Sequence, residues 1–358
     1  MTQQAKCFTH LTTAAKWAFT TRRVPSERVA GLSPALDRAR SGDLVLAEVV
    51  SIGSHKRLQT REGRRSTLFP GDFVVLACGD RFAMDQFEGH AELQAGGSDM
   101  LASGGVLGTM IARNARVSTP TRLRPLGLLI DGAGAVISVA DHALPPHQNP
   151  SRPDLVLAVV GSGMNAGKTD ATAWLLRGFS LMGLRTVGVK LTGTGSFGDT
   201  QAYTDAGAAM ALDFTDAGMS SSYRQPVSRI VAAHDLLMSE AAAQGCDVAV
   251  IELADGVTQV ETAELLNDKS FAQGLDGVLF ACAEPLAAMA GMAWLSDRGI
   301  TPLAVTGRIT SAPLAVAEVA ALSDVPVLSR EALADPVTAS ALSQTIRQRR
   351  KTRHGLAA

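Results

Sequence analysis

Nine consecutive residues hold the clearest chemistry in the chain: Gly161-Ser162-Gly163-Met164-Asn165-Ala166-Gly167-Lys168-Thr169. Glycines at 161, 163 and 167 permit backbone angles that other residues resist and expose successive N–H groups. The apolar run Asp154-Leu155-Val156-Leu157-Ala158-Val159-Val160 reads as a strand leading into Gly161. Lys168 and Thr169 then open a helix whose positive end faces the same spot. A strand, glycine-rich loop and helix in this order suit phosphate: amides cradle its oxygens, the lysine reaches the outer phosphates, and the threonine hydroxyl binds Mg²⁺. The expected nucleotide contacts are Gly161, Gly163, Met164, Asn165, Ala166, Gly167, Lys168, Thr169 and Asp170. A glycine-rich turn that ends in Gly-Lys-Thr by chance is the bland alternative.

Further charged residues fall where such a site would use them. The strand Thr186–Lys190 ends in Lys190, followed by Leu191-Thr192-Gly193-Thr194-Gly195. The strand Val248-Ala249-Val250-Ile251 delivers Glu252 at its carboxyl end, where parallel sheets place ligand chemistry. Asp199, Asp205, Asp213 and Asp216 lie between the Lys190 loop and the next strand, and Asp255 follows Glu252 closely. Each of these aspartates has an ordinary reading as a helix cap or surface charge. Tyr223, Arg224 and Arg229 follow a serine loop, and an arginine such as Arg224 can clamp a carboxylate through two parallel hydrogen bonds.

One departure from the usual phosphate-loop pattern is informative. That pattern has Gly or Ala five residues before Gly167, where this chain has Ser162, and its leading glycine comes one position earlier at 161. The longer spacing resembles dethiobiotin synthetase and its relatives among the P-loop proteins. The chain also resembles a group of bacterial two-domain P-loop proteins with a small domain ahead of the NTPase. The resemblance covers roughly residues 155–330. It implies that Lys190 neutralises charge on a transferred phosphoryl group, that Glu252 helps hold Mg²⁺ or its waters, and that an aspartate before a helix completes the metal site. Asp205 fits that aspartate best and Asp199 is the alternative, giving Thr169, Asp205 and Glu252 as the metal set and Lys168, Lys190 and Glu252 as the catalytic set.

Guanine-specific P-loop proteins carry Asn/Thr-Lys-x-Asp after a late strand. Here the strand Pro302–Val305 runs into Thr306-Gly307-Arg308-Ile309-Thr310, with no aspartate at that spacing, so ATP is favoured over GTP. The resemblance makes Thr306 and Gly307 base-contact candidates. The leading expectation is an ATP- and Mg²⁺-dependent ligase- or kinase-type enzyme that phosphorylates or activates a small carboxylate-bearing metabolite. Thr192, Thr194 and Arg224 would contact that substrate. The alternative is a nucleotide-dependent adaptor or metal-delivery NTPase, similar to the molybdopterin-guanine dinucleotide adaptor. Against metal delivery, there is no Cys-x-Cys-Cys motif and no His-rich tract, and His142 and His147 flank prolines.

These residues need a scaffold. Strand candidates Leu155–Val160, Thr186–Lys190, Val248–Leu253, Gly277–Cys282 and Pro302–Thr306 alternate with amphipathic stretches Asp170–Met182, Ala232–Gln244, Pro285–Asp297 and Pro313–Leu322. Near-continuous apolar strands imply burial on both faces, hence α/β architecture with a parallel sheet covered by helices over 154–345. Ahead of it, Leu144–Pro153 has four prolines in ten residues, which marks a linker at 144–153. Residues 41–143 read as a smaller, mostly β domain, barrel-like, with strands at Asp43–Val50, Gly71–Ala77, Gly127–Ile130 and Ala135–Val139. Within 1–40, Ala14–Phe19 reads as a short helix and Arg22–Arg28 as a charged linker; 346–358 is a basic tail. Gly79–Gly89 reads as a polar loop facing a partner domain or ligand. The β domain has three candidate roles: covering the nucleotide, contacting substrate, or forming a homodimer.

Composition sets the outer limits. With 358 residues there is material for two cores, and 46% hydrophobic against 19% charged residues is a globular balance. A net charge of −1 gives no global field toward nucleic acid or an acidic membrane. The local cluster Lys56, Arg57, Arg61, Arg64 and Arg65 lacks interleaved aromatics for stacking, so a solvated hairpin is expected rather than a nucleic-acid site. Cys7, Cys78, Cys246 and Cys282 are far apart, which fits a reducing cytoplasm. Lys6 and Lys16 bracket a Thr/Ala-rich stretch rather than an apolar core, and no apolar run reaches membrane-helix length; neither a secretory signal nor a membrane span is expected.

Overall fold

The computed structural model describes residue 12 and residues 14–355, with side chains as far as 351; Lys6 and Cys7 lie outside the described residues. The chain divides into two compact units, and the division between Pro145 and Pro146 falls inside the proline-rich linker. The first unit also takes Gly193–Phe197 and Phe214–Gln225, two short segments that the sequence assigns to the C-terminal domain.

The first unit is a β structure. Its strands are β1 (Lys16–Trp17), β2 (Gly31–Ser33), β3 (Leu44–Ser51), β4 (Arg57–Gln59), β5 (Arg65–Thr67), β6 (Phe73–Cys78), β7 (Arg81–Phe82), β8 (Phe87–His90), β9 (Ser98–Ala102), β10 (Val106–Arg113) and β11 (Thr121–Ile130). Strands β6, β3, β11, β9 and β10 pair in sequence, and β10 pairs back onto β6, closing a five-strand ring. Alternate residues of β3 separate the packing. Val45, Ala47 and Val49 join one core with Val74 and Leu76, while Leu44 and Leu46 join another with Val75 and Ala77. That separation is the period-two consequence of a pleated strand buried on both faces.

Three local expectations fail here. Ala14–Phe19 is not a helix, because Lys16 and Trp17 pair in parallel with Val74 and Val75. Ala135–Val139 is not a strand; Val136 and Ser138 make isolated bridges to Ile130 and Asp43 before a 3₁₀ turn at Val139–His142. The basic cluster forms the separate hairpin β4–β5, and Gly79–Gly89 is largely the hairpin β7–β8 rather than an open loop. Within this unit Asp80 pairs with Arg224 at 3.0 Å and Glu88 accepts from the Tyr223 hydroxyl at 2.9 Å.

The second unit is a mixed α/β layer structure on six parallel strands: β12 (Leu155–Gly161), β13 (Thr186–Lys190), β14 (Met210–Asp213), β15 (Val248–Glu252), β16 (Gly277–Ala281) and β17 (Ala304–Thr306). Their order is β14-β13-β15-β12-β16-β17. Every residue of β12, β13 and β15 is buried, the state of strands covered on both faces. Nine helices are described: α1 (Lys168–Leu181), α2 (Phe197–Asp205), α3 (Val227–Ala243), α4 (Val260–Asn267), α5 (Lys269–Gly274), α6 (Pro285–Ser296), α7 (Pro313–Leu322), α8 (Arg330–Ala334) and α9 (Pro336–Gly355). Prolines open α6 and α7, where a missing N–H costs nothing, and the Asp268 and Ser329 side chains cap α5 and α8.

The core joins Leu157 and Val159 of β12 to Leu175, Leu176 and Phe179 of α1, Tyr203 of α2, and Leu342 and Ile346 of α9. The basic tail therefore does not begin at 346. Ile346 is fully buried, and Arg350 pairs with Asp276 while donating to the Asp154 carbonyl at 2.7 Å. Among the described residues no helix is long and apolar enough to cross a membrane.

Candidate functional site

The site sits at the carboxyl ends of β12, β13 and β15. Strand β12 runs in one direction to β13 and the chain later crosses β12 to reach β16, so the reversal of strand order leaves a crevice there. The loop after β12 turns through Asn165 (φ 60°) and Gly167 (φ 98°), both left-handed, so that the Gly167 carbonyl starts helix α1. Three backbone bonds hold this loop: Ser162 N to Ala281 O at 3.0 Å, Val257 N to Gly161 O at 2.9 Å, and Arg308 N to Ala166 O at 3.0 Å. The loop that the sequence assigns to phosphate is thus shaped by the ends of β15, β16 and β17.

Lys168 is buried at the first position of α1. Its ammonium donates to the carbonyl of Gly163 at 2.8 Å and to that of Asp255. Burial pulls its pKa below the usual lysine range, and the Lys190 charge acts the same way; the Glu252 and Asp255 carboxylates oppose them. Thr169 turns its hydroxyl toward two acids, with Glu252 Oε1 at 3.0 Å and Asp199 Oδ1 at 3.4 Å. Asp199 also forms an ion pair with Lys190.

Ladder register explains the meeting. One row across the sheet reads Asp213, Lys190, Glu252 and Val159, on β14, β13, β15 and β12. Three ionisable residues side by side at the carboxyl edge concentrate charge where the rest of β14 and β15 is apolar. Burial works against the Lys190 charge, but Asp199 and then Glu252 outweigh it, so its pKa moves up and the ammonium persists. Burial, with the Asp199 charge adding to it, raises the Glu252 carboxyl, while Lys190, Lys168 and a hydrogen bond from Tyr203 hold it down. Tyr203 itself is pushed well above its usual range by burial and by Glu252 and Asp199, and remains a donor.

The expected residues therefore separate. Lys168, Thr169, Lys190 and Glu252 come together, and Gly161, Gly163, Met164, Asn165, Ala166 and Gly167 form the loop beside them. Asp170 is in the first turn of α1, where an acid is favoured by the helix dipole, and is exposed. Asp205 is not in the cluster: it is exposed at the last position of α2. Six residues separate it from Asp199, about 600° of helix rotation, so the two face different directions. Asp199, the alternative, takes its place. Thr192 is buried and its hydroxyl already donates to the Ala254 carbonyl at 2.7 Å, so it fastens a loop instead of facing a ligand. Thr194 and Arg224 belong to the first unit, Arg224 paired with Asp80. Thr306 is buried and donates to the Leu328 carbonyl at 2.8 Å. Tyr203 is the residue that sequence reading missed; its spacing of four from Asp199 on one helix was the available signal.

The donor set suits a hard cation. Among the described residues no group of three His, Cys, Asp or Glu is placed to hold a metal. Two carboxylates and one hydroxyl at a helix start fit Mg²⁺, which keeps several waters and takes the remaining oxygens from a phosphate.

No protein-family model matches the chain, and no curated protein matches it. Among solved structures, the signal recognition particle receptor FtsY from Elizabethkingia anophelis aligns at 21% identity and TM-score 0.36, covering 49% of this chain and 58% of that one. Chloroplast FtsY from Physcomitrella patens aligns at 16% identity and TM-score 0.35, covering 53% and 62%. The 54 kDa signal recognition particle protein from Aeropyrum pernix, in complex with GDP, aligns at 18% identity and TM-score 0.33, covering 56% and 50%. The chain spans between one half and about three fifths of these proteins, and so distant a likeness carries no argument about activity.

Proposed function

We propose that the second unit is a P-loop domain that binds a nucleoside triphosphate with Mg²⁺ and acts on its terminal phosphate. The observation that supports this reading is the gathering of Thr169, Glu252 and Asp199 oxygens beside two buried lysines at the start of α1. Thr169, Glu252 and Asp199 would hold the cation, which supplies charge neutralisation at the phosphate oxygens.

The protein's own groups do the rest. Lys168 is held by two neutral carbonyls, which are weaker acceptors than a phosphate oxygen, so exchanging one for the other is favourable. Lys190, kept protonated chiefly by Asp199, offers a second positive charge for a transferring group. The nucleotide is ATP, because Thr306–Thr310 lacks the guanine-reading aspartate. The acceptor is a small carboxylate, as the resemblance to dethiobiotin synthetase implies, and the reaction is phosphorylation or activation for ligation.

Calorimetric titration of the full chain with MgATP and MgGTP tests nucleotide binding; no heat with either would end the proposal. ADP release measured across a panel of small carboxylic acids tests transfer, and the absence of stimulation by every member would reject it. Tighter binding of GTP than ATP would favour a nucleotide-dependent adaptor or delivery protein.

A further inference from the structure

We infer that Tyr203 is a positioning residue for the metal-binding carboxylate: its hydroxyl holds one oxygen of Glu252 so that the other faces Thr169. This rests on the nucleotide reading of the site and deepens it. Glu252 Oε2 accepts from the Tyr203 hydroxyl, while Oε1 accepts from Thr169 at 3.0 Å. With one donor on each oxygen, rotation of the carboxylate about its last torsion, which is soft by itself, is stopped.

Two costs in the sequence make sense on this account. Tyr203 is completely buried in the apolar core it shares with β12 and α1, where phenylalanine would fill the same volume without a hydroxyl to satisfy. Its ring lies across Gly188 in the middle of β13. A Cβ at 188 would stand 2.6 Å from two ring atoms, so this strand interior carries a glycine, which weakens a strand, where a β-branched residue would otherwise favour it. Room for the ring and a hydroxyl that reaches Glu252 are bought together. The same helix turn carries Asp199, four residues earlier, so α2 brings one carboxylate to Thr169 and one donor to Glu252.

Tyr203→Phe keeps the ring on Gly188 and removes only the hydroxyl. Mn²⁺ serves as the probe, its binding to the full chain with ATP followed by electron paramagnetic resonance, with metal-free ATP affinity measured in parallel. The expected result is about a tenfold loss of Mn²⁺ affinity, the range found for groups that orient metal ligands, with metal-free ATP affinity unchanged. Gly188→Ala, which displaces the ring but keeps the hydroxyl, is expected to weaken Mn²⁺ in the same direction. Unchanged Mn²⁺ affinity in Tyr203→Phe overturns the inference, as does an equal loss of metal-free ATP affinity, the mark of a purely structural role. A wild-type chain that binds no nucleotide defeats the nucleotide reading instead, and the same titration shows this before any variant is compared.

Discussion

Lys190 and Asp199, nine residues apart, form an ion pair at the carboxyl edge of the parallel sheet, and Asp199 also lies 3.4 Å from the Thr169 hydroxyl. One aspartate thus links the lysine at the end of β13 to the threonine in the first turn of α1.

Replacing Lys190 with methionine leaves Asp199 and Glu252 facing each other without the charge between them. Removing one partner of a buried pair costs about 3–5 kcal/mol. The variant should melt several degrees lower, and nucleotide turnover should fall by about 10²–10³ in kcat. Thermal melts and steady-state ADP release check both; unaltered kcat would remove Lys190 from the chemistry.

Lys168→Ala removes an ammonium that joins the Gly163 and Asp255 carbonyls. Nucleotide affinity is expected to drop at least about tenfold, the worth of one charge-assisted hydrogen bond. Equilibrium titration with a fluorescent ATP analogue measures it.

Gly307 stands at φ 91°, and a Cβ there would come within 2.2 Å of the Ala166 carbonyl oxygen in the loop before α1. Gly307→Ala should therefore weaken nucleotide binding without adding or removing any functional group. Gly299→Ala is the matched control, with φ 69° and nothing within 4 Å of the new atom. It bears only the backbone strain of about 1–2 kcal/mol. Equal effects on nucleotide affinity from the two variants would show that contact with the loop is irrelevant.

In the first unit, His55 is held at a pKa of about 4 by burial and then by the Arg81 charge, against the opposing effect of its hydrogen bonds to the Met100 carbonyl and the Gln86 side-chain oxygen, both acceptors. The unfolded chain takes up this proton near pH 6.5, whereas the folded chain resists until about pH 4. Stability linked to His55 is therefore complete above pH 6.5 and is lost as pH falls toward 4, by about 1–2 kcal/mol once partial exposure is allowed for. Thermal melts between pH 7 and 4 should show a shallower decline for His55→Asn than for wild type.

The sequence alone determined the elements with strong local signals. A short apolar run marked the doubly covered strand Thr186–Lys190, and a proline start marked the helix Pro313–Leu322; both have the same ends in sequence and structure, and β12 and β15 each differ by one residue. Gly-Lys-Thr likewise marked a strand-to-helix junction, and the ends of two strands placed Lys190 and Glu252 beside it. Tertiary structure alone decided which partners these groups meet. Helix phase put Asp199 toward Thr169 and turned Asp205 outward, a choice with no signature in residue type. Met210–Asp213 is only four residues long, two of them half-buried, so the run was too short to read as an edge strand. Ladder register set Asp213, Lys190 and Glu252 in one row, and Gly188 made room for Tyr203. Local propensity acts over a few residues, whereas register, helix phase and ring clearance are fixed by packing between segments far apart in the chain.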